Sequence, residues 1–141
     1  MRIERTRWNP AQNALEESLF HTANGYLGVR ACPEEGAPAG VPSIRGAYIN
    51  AFYDIKPIRY GEKLYGFPET QQGIVNLTDV QNVRLYLEDE AFEPLKTGDV
   101  LAVRRTLDME RGIVTRFIHW RSPGGREVLS QIRENYQIAR D

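Results

Sequence analysis

The groups in this sequence that could do chemistry are carboxylates and aromatic rings. Glu62, Glu69, Asp79 and the run Glu88-Asp89-Glu90 supply the acids. Cleaving a glycosidic bond takes two carboxyl groups facing one bond, about 5–10 Å apart. No spacing here encodes such a pair, and no residue is assigned a catalytic role. The run at 88–90 reads better as a wet turn closing the strand before it, because turns favour acidic residues. His21 and His119 could each serve as a general base. Neither has a Ser or Asp at a diagnostic spacing, so a structural role is favoured for both. Tyr48, Phe52, Tyr53, Tyr60, Tyr65 and Phe67 crowd one short stretch. A flat ring face suits the C–H face of a sugar, which makes Tyr48, Tyr53, Tyr60 and Tyr65 weak candidates for carbohydrate contact. A core or interface cluster is the plainer reading, since aromatics carry much of a protein's buried area. Cys32 reads as a small buried hydrophobe. One cysteine and two histidines do not make a structural metal site. Phosphate-loop, dinucleotide, CxxC, HExxH and GxSxG patterns are all missing, so no cofactor is expected.

The elements that would have to position these groups are short strands between turns. Asn24-Gly25 between apolar stretches is a strong hairpin signal, with Gly25 supplying a positive φ and Gly28 allowing close backbone approach. Thr97-Gly98-Asp99, Glu110-Arg111-Gly112 and Ser122-Pro123-Gly124-Gly125 mark further turns, and residues 34–42 (EEGAPAGVP) read as a loop. Val83, Leu85 and Leu87 alternate with polar residues and predict a strand with one apolar face. Val100 to Leu107 alternates too, with Leu101 and Val103 on one face, and Ile113 to Trp120 is rich in β-branched and aromatic residues. Turns every 8–15 or so residues suggest an antiparallel sandwich. Both ends are ambiguous. Asn9-Pro10 could cap a helix over Ala11 to Phe20, and Val128, Ile132 and Tyr136 fall at helical spacing.

Composition bounds the rest. The 141 residues make one domain or part of one. A net charge of -1 argues against a nucleic-acid or anionic-membrane binder driven by bulk charge. With 41% hydrophobic and 26% charged residues the chain can build a soluble core. No apolar run approaches the roughly 20 residues of a membrane span, and the charges of residues 1–8 interrupt any signal-peptide core. The cytoplasm is the expected location, and the triplet Asn76-Leu77-Thr78 is read as accidental.

Residue order carries more than any single motif. Glu17-Ser18-Leu19-Phe20, running into Asn24-Gly25-Tyr26-Leu27-Gly28-Val29-Arg30, resembles the opening of glycoside hydrolase family 65. That family contains the maltose, trehalose and kojibiose phosphorylases and some trehalases. The resemblance continues through Gly46-Ala47-Tyr48-Ile49-Asn50-Ala51-Phe52-Tyr53-Asp54, Tyr60-Gly61-Glu62 and Tyr65-Gly66-Phe67-Pro68. It goes on through Asn76, Asp79 and Gln81, then Leu85 to Glu90, Arg105 to Met109 and Gly112. It spans about Glu16 to Val128, and Gln131 to Asp141 fits it poorly.

The resemblance implies a mainly β fold, part of the large antiparallel β-sandwich of the galactose-mutarotase-like type, with a short helix at a terminus as a minor element. It favours strands around Asn24-Gly25 over a helix from Ala11. It also implies a parent enzyme in which an (α/α)6 barrel follows, carrying the acid Glu and the phosphate site; these have no counterpart in the 141 residues. Inorganic phosphate would be the parent's co-substrate, an α-linked glucose disaccharide such as maltose its substrate, and a homodimer its assembly. The chain alone is then a non-catalytic domain; a stand-alone carbohydrate-binding or interaction module is the alternative. An incomplete sandwich leaves strand edges unpaired, so self-association is expected.

Overall fold

The computed structural model describes residues 1–77 and 80–136. In chain order the elements are β1 (Arg2–Arg5), a 3-10 turn (Pro10–Gln12), α1 (Asn13–Leu19), β2 (Thr22–Ala23), β3 (Leu27–Val29), β4 (Ala47–Ile49), β5 (Tyr53–Pro57), β6 (Thr70–Ile74), β7 (Tyr86–Leu87), β8 (Glu90–Ala91), β9 (Asp99–Asp108), β10 (Ile113–Arg121) and β11 (Glu127–Glu134). Among the described residues they form a four-stranded sheet in the order β1-β9-β10-β11, a three-stranded sheet β2-β3-β4, and the hairpins β5-β6 and β7-β8. Every pairing is antiparallel. The mainly β class expected from the sequence is the one found.

The large sheet follows from alternation. Along β10, Val114, Arg116, Ile118 and Trp120 are buried while the residues between them are half-buried. Period-two patterning sends one set to each face. The inner face carries two apolar clusters. At one end Leu107 and Val114 meet Phe20 and Ala31. At the other Ile118 and Trp120 meet Phe92. Trp120 is fully buried, stands edge-on to Phe92 with ring centroids 5.3 Å apart, and donates from Nε1 to the Thr97 carbonyl at 2.7 Å. Each such side chain contributes about 1.5–3 kcal/mol of apolar burial.

Several expectations need correction. The chain does form helix where the family resemblance favoured extended backbone. Asn9 accepts from the Ala11 amide and Pro10 opens the 3-10 turn that leads into α1. Helical spacing then puts Asn13 and Glu17 on one buried face, where Asn13 donates to Glu17 Oε1 at 2.9 Å. The strands flanking Asn24-Gly25 form as expected, as β2 and β3. At the other end, Val128 and Ile132 lie in strand β11, and only Tyr136 falls beyond it. Pairing with β10 over eight residues overrides their helical spacing.

The strand expected at Val83 to Leu87 begins only at Tyr86, and Val83 and Leu85 stay exposed because the hairpin supplies only two partner residues. In β9 the pairing jumps from His119↔Ala102 to Trp120↔Val100, leaving Leu101 as the extra, exposed residue of a bulge. Val103 alone of the expected pair turns inward. No close approach is forced at Gly28, where an added Cβ would sit 3.6 Å from that of Ala23, an ordinary contact.

Candidate functional site

Two places in the described residues gather polar groups. The first is a layer of charge inside the sheet. Arg105 and Arg116 face each other across β9 and β10 on the inner face, between the two apolar clusters. Two like charges at paired positions are unfavourable, so counter-charge must come from elsewhere. It comes from the segment after β3. Arg116 Nη1 bonds Glu34 and reaches Glu35 Oε2 at 2.7 Å, while Nη2 holds Glu35 Oε1 at 2.5 Å. All three side chains are buried.

Burial alone would lower the Arg116 pKa; the hydrogen bonds from Glu35 and the charges of Glu34 and Glu35 outweigh it and hold the group above its usual range. Arg105 is pulled the other way, by burial first and then by Arg116. Its guanidinium lies over the Phe20 ring, 5.6 Å from the centroid. Burial raises the Glu16 pKa, against the attraction of Arg105 and Arg5. Burial, followed by the charge of Glu34, raises Glu134, which accepts from Gln81 Nε2 at 3.2 and 3.3 Å. This layer can fix register and orient the 30–36 segment. It holds its acids against arginines and presents no carboxylate pair to a substrate.

The second place is an open concavity of about 310 Å³ lined by Ser18, His21, Gly28, Val29, Arg30 and Tyr48. Its floor is β3 and β4, its rim the end of α1. Arg30 Nη1 donates to Ser18 Oγ at 2.8 Å, and its buried Nε has no hydrogen-bond partner. His21 Nδ1 lies 2.5 Å from the Ser18 carbonyl. A Cβ at Gly46 would come within 2.7 Å of the Tyr48 ring, so here a glycine does permit a close approach. The concavity offers one ring, one imidazole and one fixed cation, a set that can hold a small polar group and has no nucleophile beside a base.

The four tyrosine candidates are not brought together. Tyr48 stands in β4 at the concavity and Tyr53 on β5. Tyr60 packs against Phe67 with centroids 5.0 Å apart and donates to the Pro68 carbonyl at 2.9 Å. Tyr65 is fully exposed near the tip of the same hairpin. The run Glu88-Asp89-Glu90 forms the β7-β8 turn, with Glu88 at φ 59, and its three carboxylates surround Arg126 at 2.6, 3.7 and 3.4 Å. It closes a strand, as read from the sequence. His119 Nε2 lies 3.3 Å from Glu127. The Cys32 thiol is pushed up to about 12, by burial first and then by the Glu17 charge. Asn76 of the glycosylation triplet accepts from the Ala47 amide and donates to the Arg45 carbonyl, both at 3.0 Å. Thr78 and Asp79 lie outside the described residues.

Arg105, Arg116, Glu34 and Glu35 are the buried polar residues that sequence reading missed. The signal was present at Arg116, which falls on the inward phase between Val114 and Ile118.

Residues 3–134 match the profile of the glycosyl hydrolase family 65 N-terminal domain. The chain belongs to that family. The profile runs past both ends of the resemblance seen by eye and takes in all of β11. This family 65 domain is 53% identical over 130 residues to an α,α-trehalose phosphorylase of Geobacillus stearothermophilus, covering 86% of this chain and 17% of that protein. It is 36% identical to a 3-O-α-D-glucosyl-L-rhamnose phosphorylase of Lachnoclostridium phytofermentans, covering 87% of this chain and 18% of that one. It also superposes, with a TM-score of 0.72 and 25% identity, on a solved structure assigned as a kojibiose phosphorylase from the human microbiome, covering 84% of this chain and 15% of that chain. The chain therefore spans under a fifth of the length of these relatives. No helix among the described residues is long and apolar enough to cross a membrane.

Proposed function

We propose that this chain is the non-catalytic N-terminal β domain of a cytoplasmic α-glucoside phosphorylase. The parent reaction would be inverting phosphorolysis of an α-linked glucose disaccharide, with inorganic phosphate as co-substrate, and the parent a homodimer. The observation that carries the reading is the family 65 match over residues 3–134. The 53% identity to a trehalose phosphorylase makes α,α-trehalose the first substrate to test, ahead of maltose.

The chemistry of the acids agrees with a supporting role. Glu34 and Glu35 are held by Arg116, Glu88 and Glu90 by Arg126, and Glu127 by Arg121. Glu17 is held by the Ser43 hydroxyl and the Ile44 amide. An inverting phosphorylase needs one acid on the leaving oxygen and uses phosphate itself as nucleophile, where inverting hydrolysis needs a second carboxylate to activate water. In this reading the acid and the phosphate site belong to the parent's barrel.

The test is to incubate the purified chain with α,α-trehalose, maltose and kojibiose, with and without phosphate, and to measure glucose 1-phosphate and glucose. No turnover is expected. A chimaera of the Geobacillus trehalose phosphorylase, with this chain in place of its matching N-terminal stretch, should fold and retain phosphorolysis. Phosphate-dependent turnover by the 141 residues alone, or an inactive but folded chimaera, would sink the reading.

A further inference from the structure

Strand β11 is the open edge of the large sheet: it pairs with β10 along its whole length and with no other strand. Its residues alternate strictly. Glu127, Leu129, Gln131 and Arg133 point outward and are exposed, and Val128, Ser130, Ile132 and Glu134 point inward and are half-buried. About its centre the strand is its own complement. Laid antiparallel on a second copy with Ser130 opposite Ser130, Glu127 meets Arg133 and Arg133 meets Glu127. Val128 meets Ile132 twice, and Leu129 meets Gln131 twice. One step beyond the strand, Arg126 falls opposite Glu134. No like charges meet anywhere along this register. Moving the centre to Leu129 or to Gln131 loses both outer ion pairs.

The backbone accepts the arrangement as well. In an antiparallel ladder alternate residues turn their N–H and C=O groups to the same side. A two-fold register centred on one residue pairs those groups whichever alternate set faces out. The outer-face charges are also available. Glu127 is held by Arg121 at 2.7 Å, with His119 at 3.3 Å, and a carboxylate has capacity for a further donor. Arg133 has no ion-pair partner among the described residues and stands exposed on the same face.

We propose that β11 is a self-recognition strand, through which two copies of this chain join edge to edge in a two-fold ladder centred at Ser130, merging two four-stranded sheets into one of eight. The contact is isologous, each copy using the same residues, and its mode is strand addition at an exposed edge. It does not depend on the phosphorylase reading, because the occupant is a second copy of the chain itself.

Sedimentation of the purified 141-residue chain across a concentration series should show a reversible monomer–dimer equilibrium. Arg133→Glu turns both outer ion pairs into repulsions and should weaken the dimer by at least about tenfold. Glu127→Arg should do the same. Mixing the two single variants should restore association, because in the mixed dimer each meeting is again of opposite charge. Ser130→Cys should give an oxidised dimer linked through position 130, since directly opposed residues lie within disulfide reach and the native Cys32 is buried. A monomer at every concentration overturns the proposal. So does a dimer indifferent to Arg133→Glu, a mixture that stays monomeric, or open-ended aggregation without the position-130 link.

Discussion

The large sheet and the β5-β6 hairpin are built from the same kind of strand and have opposite fates. In the hairpin all ten strand residues are exposed, Ile55 and Ile74 among them. The tip closes on itself through Tyr60 on Phe67. Its base is tied to the body through Asn76 and through the Leu77 amide, which donates to the Ala47 carbonyl at 2.8 Å. In the large sheet one face is sealed by α1, the 30–36 segment and the β7-β8 hairpin. A two-stranded hairpin alone is marginal in water; a sheet becomes stable when something covers a face. The pairing is therefore common to both regions, and the burial belongs to one. The buried face also carries a cost the hairpin avoids, since the 30–36 segment brings Glu34 and Glu35 in with it and those acids need Arg116.

The contrast can be broken at its strongest point. Arg116→Met strands Glu34 and Glu35 in the core and should cost about 3–5 kcal/mol, enough to unfold much of a marginally stable chain. Urea titration followed by circular dichroism measures this. Adding Glu34→Leu and Glu35→Met should recover most of the loss. A cost near zero for the single change would mean the layer is wet and the two regions differ less than described. Trp120→Phe, on the same face, removes the Thr97 hydrogen bond and part of the ring contact, and should cost about 1–3 kcal/mol in the same titration.

The hairpin supplies the opposite limit. Ile55→Ser should change stability by no more than about 0.5 kcal/mol, and limited trypsin digestion should cut at Lys56, Arg59 or Lys63 before any site in β9 to β11. Early cutting inside the large sheet would reverse the ranking.

The smallest effect is one of pH. Glu134 has its pKa raised above 4.5 by burial and by Glu34. Its contribution to stability is therefore full below the unfolded value and is lost as pH rises through the raised folded value. Melting temperature should fall less between about pH 4 and about pH 8 in Glu134→Gln than in the wild type. An identical slope would place Glu134 in solvent.

Period-two alternation made β9 and β10 legible, because a strand buried on one face must write that face into its sequence. The hairpin turns at Asn24-Gly25, Gly98, Gly112 and Gly125 were legible for a local reason, since each of these glycines has positive φ. The helix Asn13–Leu19 was half legible. The Asn9-Pro10 start was visible, but the reason the helix holds is tertiary: Glu17 accepts from the Ser43 hydroxyl at 2.7 Å and the Ile44 amide at 2.5 Å, 26 and 27 residues away. The ionic layer was not legible. Glu34 and Glu35 open a stretch whose composition says loop, and a loop by composition can still be buried by what packs over it. Of the concavity, Tyr48 was picked out as an aromatic and His21 as a titratable group; that α1 and β3 bring Ser18 and Arg30 beside them depends on a helix the family resemblance argued against.

Cys32 carries a practical consequence. It is the chain's single thiol, it is 1% exposed, and with its pKa pushed up to about 12 it stays in the unreactive protonated form. In the folded chain it is silent to alkylating reagents, and it reacts only when the segment between β3 and β4 opens. The rate of mass gain with a thiol reagent is thus a built-in clock for that opening, readable without adding any probe to the protein.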